Sequence, residues 1–158
     1  MGKTLHEAAR EGDVSSVRAL LEKKWWRSAP DVNATDKWGC TPLHYVVESG
    51  SQGVFELLLS HGADVHAVNR FADMPIHNAA REGRKEMVAL LLDKGADINA
   101  RGTEGGTPLR QAAREGHVEI VKLLLSRGAD KNVADNAGRI PRQYAEDMRH
   151  QAVIALLA

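Results

Sequence analysis

Seven histidines are the residues here that invite a chemical reading, because imidazole is both a metal ligand and a general base near neutral pH. Three of them, His6, His44 and His77, recur in one local setting, "LH" or "IH" followed by a short helical run. Packed helices stand about 8–10 Å apart, and a metal holds its ligands at about 2 Å. Histidines repeated on successive helices therefore cannot share one ion. The glycines of "RGTEGGTP", Gly102, Gly105 and Gly106, raise the question of a phosphate loop, but no Gly-Lys-Ser/Thr ending follows them and no parallel strand is expected before them. The single cysteine, Cys40, lacks a local base and orienting acid. No cofactor and no enzymatic constellation is expected.

The elements that position these residues follow from an internal repeat. "TPLHYVVESG" starts at Thr41, "MPIHNAAREG" at Met74, "TPLRQAAREG" at Thr107 and "IPRQYAEDMR" at Ile140, each 33 residues after the last. Leucine-rich runs ending in Gly-Ala-Asp follow the first three. Proline at 42, 75, 108 and 141 suits the first turn of a helix, and the preceding threonine can cap it. Glycine at 50, 83 and 116 ends that helix after about eight residues. A second helix follows, with Val118, Val121, Leu124 and Leu125 at helical spacing and a stop at Gly128. Between pairs, stretches such as "NATDKWGCT" carry the turn residues of a projecting finger. One pair cannot bury its own apolar face, so neighbours must stack into a solenoid.

These residues resemble the ankyrin repeat family, from the Thr-Pro-Leu-His opening to the Gly-Ala-Asp tail, over nearly the whole chain. The resemblance implies an all-α repeat solenoid of about five units with projecting β-turn fingers. The units are drawn at residues 1–35, 36–68, 69–101, 102–134 and 135–158, the last a terminal cap. It also implies a structural role for the repeated histidine, hydrogen-bonded around the finger, and a loop-holding role for Asn33, Asn99 and Asn132. Asn99, with Leu91 eight residues before it, fits the family's pattern for asparagine hydroxylation.

Family members bind partner proteins on the finger tips and the exposed side of the first helices, which form a concave groove. Carried over by position, this surface comprises Lys37, Trp38, Cys40 and Glu48, then Arg70, Phe71, Asp73, Arg81 and Glu82, then Thr103, Glu104, Arg114 and Glu115. Trp38 and Phe71 are 33 apart and neither is required by the repeat, so together they have the makeup of a hot spot. The other reading has each ring lie flat over the neighbouring finger. Arginines 10, 81 and 114 in "REG" form either a charged recognition ladder or a self-neutralising one.

Composition narrows the partner. Lysine plus arginine and aspartate plus glutamate both number 21, interleaved rather than blocked, which disfavours nucleic acid and anionic membrane. The start of the chain lacks the apolar core of a secretory signal, no apolar run is long enough to span a membrane, and one cysteine cannot form an internal disulfide. A cytoplasmic or nuclear monomer that binds a protein is the expectation. An engineered scaffold without a natural partner, and a small-molecule or nucleic-acid sensor using the same groove, are the alternatives.

Three departures stand out. His6 and His44 are 38 apart where 33 is the rule, so the first unit holds five extra residues, around Trp25 and Trp26. Trp25 extends the stripe of Val17 and Leu21, while Trp26 either packs on the added loop or stays open to a partner. Ala72 stands where Gly39, Gly105 and Gly138 mark the finger turn, which predicts a strained alanine. Arg142 and Arg149 replace the leucine and the helix-ending glycine of earlier units.

Overall fold

A computed structural model describes residues 3–22 and 29–158; Trp25 and Trp26 lie outside them. Among the described residues there are ten α-helices and no strand. They run in five antiparallel pairs: α1 (Leu5–Glu11) with α2 (Val14–Leu21), α3 (Pro42–Ser49) with α4 (Gln52–Ser60), α5 (Pro75–Arg81) with α6 (Lys85–Asp93), α7 (Pro108–Glu115) with α8 (Val118–Ser126), and α9 (Pro141–Asp147) with α10 (Gln151–Leu156). The first helices pack in series, α1 on α3, α3 on α5, α5 on α7 and α7 on α9, which makes the chain an all-α repeat solenoid.

Local chemistry sets the helix ends as expected. Pro42, Pro75, Pro108 and Pro141 each occupy the first turn, where no donor is missed. Thr107 Oγ1 accepts from the Arg110 amide at 3.2 Å, capping α7. Gly50 and Gly116 close α3 and α7 in the left-handed region. Arg149, at the matching place after α9, is forced to φ +59°. Ala72 sits at φ +66°, the strained conformation its position predicts.

One apolar core runs through the stack, with Leu43, Ile76 and Leu109 fully buried at equivalent positions of α3, α5 and α7. Each such side chain contributes about 2 kcal/mol through burial. Arg142 takes the same register on α9 and is only half-buried. Of α9, Pro141 and Ala145 are buried, against six residues of α7.

The repeated histidines stitch unit to unit. His44 Nδ1 accepts from the Thr41 amide at 3.1 Å, so its Nε2 carries the proton and donates to the Asp73 carbonyl at 3.2 Å. His77 likewise accepts from the Met74 amide at 3.1 Å, but donates to the Ala100 carbonyl at 2.9 Å, 23 residues along where His44 reaches 29. His6 reaches the Ala34 and Cys40 carbonyls at 2.9 and 3.1 Å. Asn33 and Asn99 accept from the Asp64 and Asp130 amides at 2.8 and 3.0 Å, which gives them the loop-holding role.

Candidate functional site

Each finger is a tight turn held by one carboxylate or carboxamide. Asp36 Oδ1 accepts from the Trp38 and Cys40 amides at 2.8 and 3.0 Å, and Asn69 Oδ1 does the same for Phe71 and Asp73 at 2.9 and 3.1 Å. The Arg70 amide then donates to the Trp38 carbonyl at 2.9 Å, locking the two fingers side by side. This linkage holds Trp38 and Phe71 in register. Their rings stack with centroids 6.3 Å apart and planes 23° from parallel. Both stay open to solvent, Trp38 at 47% and Phe71 at 55% exposure. The Lys37 ammonium lies 5.2 Å from the Trp38 ring centroid. The rings thus cover one another at the finger tips.

Beneath the stack lies an open groove of about 460 Å³ between the fingers and helices α3 and α5. It brings together Trp38, Cys40, Glu48, Phe71, Asp73, Arg81 and Thr103 of the residues expected from sequence. Lys37, Arg70, Glu82, Glu104, Arg114 and Glu115 are exposed outside it, except that Glu104 and Arg114 line a second depression with Arg139 and Tyr144.

Two expected surface residues are instead buried. Asp73 is 4% exposed because it completes the next finger: Gly102 has no side chain to hold its own turn, and Asp73 Oδ1 accepts the Thr103 amide at 2.8 Å in its place. A Cβ on Gly102 would come within 2.3 Å of that oxygen, so the small residue makes room for it. Cys40 is 9% exposed, with its Sγ accepting from Asn69 Nδ2 at 3.6 Å, and burial pushes its thiol pKa up. Neither residue offers a free surface group. They form floor, not rim.

The arginine ladder is largely self-neutralised. Arg10 pairs with Glu48 at 3.2 Å, Arg81 with Glu82 at 3.5 Å and with Asp73 at 3.6 Å, and Arg114 with Glu115 at 3.8 Å. The pairs with Glu48, Glu82 and Glu115 are exposed and contribute little to stability.

Tyr45, Asn69 and Asn78 also line the groove, and sequence reasoning passed over them. Tyr45 and Asn78 directly follow the repeated histidine, and that shared register was the available signal. The Tyr45 hydroxyl donates to Asp36 Oδ2 at 2.6 Å. Burial, reinforced by that carboxylate, holds its pKa up at about 12.

Arg110 occupies the histidine position of the fourth unit and builds a different link. It is 3% exposed, and its guanidinium reaches Thr103 O at 3.0 Å, Glu104 at 3.2 Å and the buried Asp135 at 3.4 Å. Among the described residues no cluster of three or more potential metal ligands forms, and no helix is long and apolar enough to cross a membrane.

A family model described as ankyrin repeats (3 copies) matches residues 2–69 and 62–135. Similar stretches occur in the 2-5A-dependent ribonuclease of Mus musculus, 48% identical over 61 residues, and in neurogenic locus notch homolog protein 1 of Xenopus tropicalis, 41% over 59. Alpha-latrotoxin-Lg1a of Latrodectus geometricus is 34% identical over 62 residues. These matches take in 38%, 37% and 39% of this chain but only 8%, 2% and 4% of the relatives. The repeat period, the helix pairs with their prolines and finger turns, and a family match across most of the chain lead to one conclusion: this protein belongs to the ankyrin repeat family.

Proposed function

We propose that the chain is a non-enzymatic protein-binding module that receives its partner on the finger and first-helix face, with Trp38 and Phe71 at the centre of the contact. The observation that carries this reading is the stacked pair itself, about half exposed at the tips of two adjacent fingers. Aromatic side chains of this kind are the usual centres of protein interfaces. Stacked on each other, they present a rigid apolar patch at low cost in side-chain entropy.

Lys37 and Arg70 on the rim add positive charge beside the patch, while the balanced 21 and 21 charges of the whole chain argue for a protein rather than a nucleic acid as partner. We read the five units, 1–35, 36–68, 69–101, 102–134 and 135–158, as one monomeric domain working in the cytoplasm or nucleus. The test is capture of partners from cell lysate by the wild-type protein and by a Trp38→Ala/Phe71→Ala double mutant. Specific proteins retained by the first and lost by the second support the reading. Equal capture by both overturns it.

A further inference from the structure

Each charge lining the groove beside the aromatic stack already has its opposite. Arg10 holds Glu48 at 3.2 Å and lies 3.9 Å from the Tyr45 ring centroid, and Arg81 faces the buried Asp73 at 3.6 Å. A charged guest would compete with one of these pairs and give up its own hydration as well. An uncharged guest does neither.

Asn78 sets a second condition. It takes on α5 the place that Tyr45 takes on α3, but where Tyr45 gives its hydroxyl to Asp36, the Asn78 Oδ1 has no donor. That oxygen is shut away from solvent although its residue lines the groove. Buried polar atoms are almost always paired, so a lone acceptor at a groove floor marks where a donor belongs. Among the described residues neither Oδ1 nor Nδ2 of Asn78 has a hydrogen-bond partner, so a turn of the amide that presents Oδ1 to the groove breaks no bond.

The stack supplies a spacing. In an extended chain, alternate side chains on one side are about 6.6 Å apart, close to the 6.3 Å between the Trp38 and Phe71 centroids.

Resting on the protein-binding reading above, we propose that the partner enters this groove as an extended, uncharged peptide segment. One of its main-chain N–H groups donates to Asn78 Oδ1, and two apolar side chains, alternate along the segment, lie one on Trp38 and one on Phe71. A peptide N–H is the donor that an extended segment presents at every residue except proline.

The probe is a set of short random linear peptides selected on the immobilised protein, with folded domains displayed in parallel. Selected peptides should be uncharged over the segment that binds, and Trp38→Ala should weaken them about tenfold or more. Methylating backbone nitrogens one at a time should find one position that costs wild-type binding about tenfold and costs Asn78→Ala less than about twofold. Asn78→Ala removes an acceptor that bonds to nothing and should melt no lower than wild type. Peptides that depend on Trp38 but show no Asn78-coupled nitrogen, or that bind through charged side chains, overturn this inference and leave the protein-binding reading standing. Folded domains that bind through Trp38 and Phe71 while no linear peptide does so have the same effect. If nothing selected depends on either ring, both readings fall.

Discussion

The Nε2–H of His44 donates to the carbonyl of Asp73, 29 residues further along, so one buried imidazole joins the second helix pair to the finger that precedes the third. His77 makes a link of the same kind to Ala100, 23 residues on, in the loop that leads to the next finger. Both rings must be neutral, since each Nδ1 accepts an amide hydrogen.

Acid should therefore loosen the stack. Burial holds the pKa of both histidines below the ordinary imidazole value, outweighing the hydrogen bonds that act the other way. In the unfolded chain they titrate near about 6.5. The unfolded state then binds more protons below that pH, so this stability is fully present above about 6.5 and is lost as pH falls through the depressed folded values. Urea midpoints measured from neutral pH downward should fall below about pH 6.5, and replacing both histidines by Gln, the residue at position 143, should flatten the slope. A midpoint that rises on acidification contradicts this assignment.

Ala72 and Arg149 hold left-handed backbone that costs a non-glycine residue about 1 kcal/mol. Gly39, Gly105 and Gly138 occupy the turn of Ala72 at φ +74°, +73° and +76°. Ala72→Gly and Arg149→Gly should each raise the melting temperature by about 3 °C, and together by about the sum. Thermal denaturation of the three variants checks this, and a lower melting temperature for Ala72→Gly would refute the strain.

Arg110 and Gly106 are predicted to act as a pair. A Cβ at Gly106 would stand 2.0 Å from Arg110 Nε, so the guanidinium fills space that the finger side chain occupies in other units. Gly106→Ala should cost about 1–3 kcal/mol in the wild type. With His at 110, the residue found at 44 and 77, the same change should cost less than half as much. A double-mutant cycle by urea unfolding measures the coupling, and independent effects would show that the two residues do not share that space.

Much of this architecture was legible because proline, histidine and glycine mark the same points of each unit every 33 residues. The strain at Ala72 was legible for the same reason, as an alanine in a glycine's place. Exposure of Trp38 and Phe71 could be read from a finger position that elsewhere takes Glu104 and Ala137. What the pattern did not reveal depends on the neighbouring unit. Asp73 is buried because Gly102, in the next finger, needs its carboxylate, and a position-by-position transfer treats each finger alone. Asn78 was missed because its unpaired oxygen becomes apparent only once helices α3 and α5 and their fingers enclose a groove.

Trp38 and Phe71 serve recognition rather than stability in the proposed function, and one pair of measurements on the same mutants tests that most directly. Trp38→Ala and Phe71→Ala should each shift the unfolding free energy by less than about 1 kcal/mol, since both rings are already half exposed and stack on each other outside the apolar core. Each should also weaken binding of a captured partner at least about tenfold, the scale of an interface hot spot. A sharp loss of stability with affinity nearly unchanged would contradict this role, because the rings would then be structural covers over neighbouring fingers.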